Sequence, residues 1–149
     1  MENIKKLLVE NKIEFEIIYH EKLIHTAQEG ADYFKIEIGQ TAPALIIYTN
    51  IGFYALIVSG SQEKIDFKKI KKLLNCTNVR LATKDEVQQG TGYSVGTIPI
   101  FEIPFPYIID KRLLEYSYIY GGTGKRDYTL KVNPNAILKL NIVVGILGN

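Results

Sequence analysis

The chain has 149 residues, a net charge of +2 and 46% hydrophobic residues. That length allows one domain with a real core, and the hydrophobic share excludes a disordered chain. The small net charge makes no case by itself for a nucleic-acid binder.

The single cysteine, Cys76, rules out an internal disulfide and a cysteine zinc cluster, and reads as a small buried hydrophobe. No apolar run reaches membrane-spanning length. The opening MENIKKLLVENK has no apolar h-region or small-residue cleavage site, so a cytoplasmic protein is expected. With no repeat, low-complexity tract or linker, residues 1–149 are expected to form a single domain.

Residues 2–11 place Ile4, Leu7 and Leu8 at helical spacing. Phe15, Ile17 and Tyr19 alternate with Glu14, Glu16 and Ile18, the pattern of a half-buried strand. Thr26-Ala27-Gln28-Glu29 has the form of a capping box and predicts a helix to about Phe34. Two β-branched and aromatic runs, 44–48 and 53–58, flank Asn50-Ile51-Gly52 and read as a hairpin. Asp66 opens a helix with Phe67, Ile70, Leu73 and Leu74 on one face and Lys68, Lys69, Lys71 and Lys72 elsewhere.

A short strand is expected at 79–82, then a second capping box, Thr83 to Glu86, opening a helix to about Gln89. Strands follow near 107–110, 116–120 and 128–132. Asn133-Pro134 supplies an N-cap and an N1 proline for a helix to Leu140, and 142–146 is a last strand. Mixed helices and hairpins imply an α+β, or mixed α/β, fold: one largely antiparallel sheet flanked by helices.

Several features bear on chemistry. His20 and His25 lack a third ligand at metal-site spacing, and no metal is expected. No nucleophile elbow, Walker loop or dinucleotide fingerprint occurs. Residues 120–126, YGGTGKR, admit two readings: a glycine-rich backbone that approaches a phosphate beside Lys125 and Arg126, or a β-turn with solvated charges. The lysine face of the 66–74 helix reads as a solvated face that could also meet a phosphate backbone. The ten tyrosines can stack bases or simply cover a sheet.

The stretch 90–106, GTGYSVGTIPIFEIPFP, stands apart. Pro99, Pro104 and Pro106 cannot sit in central strands, while Gly90, Gly92 and Gly96 permit unusual backbone angles. A loop so long and so punctuated is more often functional than a plain connector.

The order of these pieces resembles the YbaK family, whose editing domain is related to the one inserted in bacterial prolyl-tRNA synthetase. The resemblance runs from about Ile4 to Ile146. It is carried by KIEFEIIYHEKLIHTAQEGADYF, GQTAPALIIYTNIGFYALIVSGS, IDFKKIKKLL, LATKDEVQQGTGYSVGTIPIF and IYGGTGKRDYTLKVNPNAILKL. It implies hydrolysis of the ester of a wrongly charged tRNA carrying a small amino acid, with the cognate residue excluded by size. Water would attack the ester carbonyl, which calls for oxyanion stabilisation.

The implied partners are the aminoacylated 3′ end of tRNA and an aminoacyl-tRNA synthetase; no cofactor and no membrane are implied. By position, Gly96, Thr97, Ile98 and Pro99 would form the substrate-holding loop. Tyr19 would line the pocket mouth, and Thr26 would start the helix beside it. Gly121 and Gly122 would pack close to the ligand, with Asp127 at the far side.

Three departures matter. The family lysine, in a pattern like Ile-Ala-Lys-Thr-Leu, is matched by Thr41-Ala42-Pro43-Ala44-Leu45, so Pro43 stands where the ammonium would be. Proline brings no charge and no backbone N–H, and Lys35, eight residues upstream, does not obviously replace the lysine. The family's Gly-x-x-x-Pro places Ile100 where proline is usual, with Pro99 before it, and Ser61 stands where an acid is common.

Three functions therefore stay open: a stand-alone trans-editing deacylase with an altered site, a non-catalytic relative that binds an aminoacyl-adenosine or similar ligand, and a protein-partner module with a filled pocket.

Overall fold

The computed structural model describes residues 1–62 and 64–148. In chain order the elements are α1 (Glu2–Glu10), β1 (Phe15–Tyr19), α2 (Ala27–Phe34), β2 (Thr41–Ala42), β3 (Ala44–Thr49), β4 (Gly52–Ile57) and α3 (Phe67–Leu74). Then come β5 (Val79–Leu81), α4 (Lys84–Thr91), β6 (Tyr107–Asp110), β7 (Ile119–Gly122), β8 (Tyr128–Val132), α5 (Asn135–Leu140) and β9 (Val143–Leu147).

The class is α+β, as the element pattern implies, but the strands divide into two mixed sheets. One runs β1-β8-β7-β2 and the other β5-β3-β4-β6-β9. In the first, β1/β8 and β7/β8 are antiparallel and β2/β7 parallel. In the second, β5/β3 and β3/β4 are antiparallel, and β4/β6 and β6/β9 parallel. Pro43 is the single residue between β2 and β3, at the point where the chain leaves one sheet for the other. A residue without an N–H costs no ladder bond there, and its carbonyl still accepts from Val58 N at 3.1 Å.

The main core lies between the sheets. Ala42, Ile119, Leu130 and Val132 from one sheet meet Ile46, Ala55, Ile57, Tyr107 and Ile109 from the other, with Ile4 and Leu8 of α1 and Ala136 and Ile137 of α5. A smaller cluster of Ile47, Leu56, Val58, Ile70 and Ile108 seats α3 on the outer face of the five-stranded sheet. Asp66 caps α3 by accepting from Lys69 N at 3.1 Å, and Lys68, Lys69 and Lys72 face solvent.

The loop between α4 and β6 is partly core. Ile98, Ile100, Phe101 and Ile103 all join the cluster between the sheets, and each full burial of such a side chain stabilises by about 1.5–3 kcal/mol. The buried Tyr107 hydroxyl accepts from Ile103 N at 3.2 Å and ties the loop's far end.

Local signals held with small shifts. The Thr83–Glu86 box forms in both directions. At Thr26 only half of the box forms: Thr26 Oγ1 accepts from Glu29 N at 3.0 Å, while the Glu29 carboxylate accepts from His25 N. The expected 116–120 strand begins at Ile119. Asp110, accepting from Arg112 N, starts a 3₁₀ turn over Lys111–Glu115 that occupies the preceding residues. Helix α5 begins one residue later than expected, at Asn135 with Pro134 in the N-cap place, and Asn133 Oδ1 accepts from Asn135 N at 2.9 Å just ahead of it.

Candidate active-site cleft

One cleft of about 330 Å³ opens where the two sheets part. Its walls come from the α2 N-terminus (His25, Thr26, Ala27), the β2–β3 junction (Thr41 to Ile46), the end of β5 with Val87 of α4, the loop (Val95 to Ile98), and β7 with its turn into β8. Ile46, Val87 and Ile98 lie at its buried end. The sheet crossover creates this opening: β2 and β3 diverge at Pro43, and the space between them must be closed by other segments or left to a ligand.

The loop is held against β7 by glycine. A Cβ on Gly121 would come within 2.7 Å of Ile100 side-chain carbons, and one on Gly122 would meet the Ile98 carbonyl oxygen. Ile100 N donates to Gly122 O at 3.2 Å. Gly96 takes φ +92, open to glycine without strain. Thr97 N and Thr97 Oγ1 both donate to Ser94 O, closing a tight turn. The N–H groups of Gly96 and Ile98 have no partner among the described residues. Backbone donors beside a cavity are free to meet a ligand oxygen.

Of the residues expected at the site, Thr26, Pro43, Gly96, Thr97, Ile98, Gly121 and Gly122 line this cleft. Three lie off it. Pro99 is buried behind the loop. Tyr19, 56% exposed at the end of β1, stands with its ring centroid 5.3 Å from that of Tyr128, which does line the cleft. Asp127 sits between two lining residues and accepts through its carbonyl from His20 N at 2.9 Å.

The cleft also contains groups that sequence reasoning did not place. Thr129 lines it, and its hydroxyl meets His20 Nε2 at 2.9 Å, while His20 Nδ1 donates to Lys22 O at 2.7 Å. Both ring nitrogens of His20 therefore have a partner. Thr41 Oγ1 donates to Ile38 O at 2.7 Å. Among the described residues no three His, Cys, Asp or Glu cluster at metal-holding distance. Lys125 and Arg126 stand in the cleft wall, which contains no Asp or Glu. Their signal was the glycine-rich YGGTGKR stretch, but only pairing of β7 with β8 brings that turn back to the loop.

A second polar assembly lies elsewhere. The Asp110 carboxylate is buried and accepts from Ser59 N (3.0 Å), Arg112 N (3.0 Å), Arg112 Nε (3.1 Å) and Arg112 Nη2 (2.8 Å). Burial pushes its pKa up, but the Arg112 guanidinium and the two N–H donors outweigh that and hold it below the usual carboxylate range.

The profile of the aminoacyl-tRNA editing domain matches residues 21–140, a span that holds every wall of the cleft. The chain belongs to the aminoacyl-tRNA editing domain family.

Relatives of this editing domain include an Enterococcus faecalis protein named as a Cys-tRNA(Pro)/Cys-tRNA(Cys) deacylase, EbsC, 28% identical over 93% of this chain and 87% of the relative. The proline–tRNA ligase of Aquifex aeolicus is 31% identical over 57% of this chain, and that of Thermosipho melanesiensis 25% identical over 83%. The chain spans 15% and 22% of those ligases' lengths.

Among solved structures, a hypothetical protein superposes with TM-score 0.87 at 25% identity, over 96% of both chains. A trans-editing enzyme for prolyl-tRNA synthetase gives TM-score 0.85 at 24% identity, over 99% of this chain and 94% of that one, a likeness of fold. Among the described residues no helix is long and apolar enough to cross a membrane.

Proposed function

We propose that this editing-family chain acts in trans as an aminoacyl-tRNA deacylase, hydrolysing the ester of a mischarged tRNA that carries a small amino acid. The observation that carries this reading is the pair of unpartnered loop donors, Gly96 N–H and Ile98 N–H, beside a cleft walled by both sheets. Donors of this kind can hold the oxyanion that forms when water adds to the ester carbonyl. The C–O bond to the ribose then breaks, and the proton from water ends on the ribose oxygen, giving free amino acid and a tRNA 3′ hydroxyl. The substrate's neighbouring ribose hydroxyl can relay that proton, so no side-chain base is needed.

The buried end of the cleft supports a small acyl group. Ile46, Val87 and Ile98 are apolar and nearly inaccessible, so a longer side chain meets packed core. Size exclusion of this kind rejects larger groups more strongly than smaller ones.

Pro43 favours a second reading, a relative that binds the aminoacylated end without cleaving it. Pro43, which the resemblance aligns with the family lysine, lines the cleft and brings no ammonium. A deacylation time course separates the two. Wild type and Pro43→Lys would be given tRNAs charged with alanine, cysteine, serine, threonine and proline. Release by the wild type is expected if the loop donors suffice. Release by Pro43→Lys alone would support the binding reading, and silence from both would remove the deacylase.

A further inference from the structure

The basic turn between β7 and β8 is not accounted for by an ester-cleaving pocket. Lys125 and Arg126 are exposed, and neither forms an ion pair among the described residues. Exposed cations at a rim are screened by water and suit phosphate contacts better than oxyanion stabilisation.

The turn is nevertheless a built structure. Thr123, fully buried, donates to Lys125 O and Tyr128 O and accepts from Lys125 N. Gly124 takes φ +93 and lies so close to the Tyr93 ring that a Cβ would come within 2.6 Å of it. Tyr93 belongs to the same loop that carries Gly96 and Ile98. The backbone that carries the two cations is therefore held against the loop that carries the donors.

The Tyr19–Tyr128 ring pair stands at the foot of the turn, with Tyr19 open to solvent. Exposed rings beside cations form the usual platform for single-stranded nucleic acid: rings stack on bases while cations meet the backbone. The cleft wall carries no carboxylate to repel phosphates.

We propose that Lys125 and Arg126 bind backbone phosphates of the single-stranded 3′ end of the tRNA acceptor, with Tyr19 and Tyr128 stacking a base of that end. This rests on the tRNA reading above and deepens it by naming the nucleic-acid subsite. The lysine face of α3 is the competing surface. Helix α3 sits on the outer side of the five-stranded sheet, and its lysines contribute nothing to the cleft.

The test is binding of an uncharged acceptor-stem microhelix with a single-stranded CCA end, followed by fluorescence anisotropy across a salt series. Changing Lys125→Ala and Arg126→Ala together should weaken binding about tenfold at low salt. It should also reduce the slope of log K against log salt by about 1.4, the single-strand value for two phosphates. The charge-preserving pair Lys125→Arg and Arg126→Lys should restore both, showing that the turn still folds. Removing the CCA end should abolish the difference between wild type and the alanine pair. Changing Lys68, Lys69, Lys71 and Lys72 to alanine should leave the end-dependent part intact.

An unchanged slope in the alanine pair, loss of binding confined to the α3 variant, or no binding by wild type would each overturn the proposal. The readout is independent of hydrolysis. Turn-dependent binding without ester cleavage would sink the deacylase and keep the subsite, and cleavage with turn-independent binding would do the reverse.

Discussion

Arg112 and Arg126 carry the same guanidinium in opposite settings. Arg112 gives Nε, Nη2 and its own N–H to Asp110, and Nη2 also meets Gln62. Arg126 stands on a solvent-exposed turn at a cleft mouth, with no ion-pair partner among the described residues. Around Asp110 the polar groups answer one another: Ser59 N donates to the carboxylate, and Ser59 Oγ donates to Gly39 O at 2.8 Å. Around the cleft, donors on the loop and cations on the turn are left unanswered. A polar cluster that is internally satisfied serves stability, and one left open toward a cavity serves a ligand. The difference implies that damage to each should appear in a different measurement.

The largest expected effect comes from the closed cluster. Asp110→Asn puts an amide NH₂ against the Arg112 guanidinium and leaves that half-buried cation without its buried counter-charge. The loss should be about 3 kcal/mol, read from the urea midpoint, with RNA affinity at the β7–β8 turn unchanged. The pH dependence carries the same signature. Asp110 has a folded pKa below its unfolded value of about 3.9. Its contribution is therefore fully present above that pH and disappears as pH falls through the lower folded value. Wild type should lose stability in that acid window, and Asp110→Asn should show a flatter profile there. Equal profiles for the two proteins would break the assignment of Asp110 to stability.

The next effect lies on the boundary between the two regions. Gly122→Ala places a methyl group against the Ile98 carbonyl oxygen, a backbone atom that cannot swing aside. The strain should cost about 1–3 kcal/mol and displace the Gly96–Ile98 segment. Deacylation should fall more steeply than stability alone explains, since catalytic donors act only within a narrow geometry. A variant that loses stability but retains full turnover per folded molecule would show that the loop donors are not the oxyanion site.

Much of this was legible in the chain because the signals are local. Capping residues at Asp66 and Thr83, the Asn50-Ile51 turn and the period-2 runs each act within a few residues. The glycine and proline content marked 90–106 as a shaped loop. What it did not mark is that Ile100 and Phe101 fill the core, because apolar residues in a loop have no period to read. The division into two sheets was also hidden. It depends on β1 meeting β8, and β2 meeting β7, across long stretches of chain. Pro43 gave the one local clue, since a proline inside an apolar run marks a break in a ladder. Lys125 and Arg126 stayed ambiguous for the same reason: whether a basic turn is solvated or lines a cleft depends on what its hairpin packs against.

The smallest effect tests whether the α2 N-terminus belongs to the open region or only frames it. Thr26 Oγ1 accepts from Glu29 N, and its hydroxyl hydrogen remains available toward the cleft it lines. Thr26→Ala removes both; loss of the cap should cost about 1 kcal/mol. Thr26→Asn restores a capping oxygen while replacing the hydroxyl donor by an amide that reaches farther. If Thr26 only caps the helix, Asn should recover both stability and turnover. If its hydroxyl also meets the substrate, Asn should recover the melting temperature while KM stays raised. The second outcome is expected, because the reciprocal half of the capping box is absent here: the Glu29 carboxylate turns to His25 N instead of Thr26 N. An N-cap chosen for stability alone would gain from that second bond, whereas Thr26 faces the cleft without it.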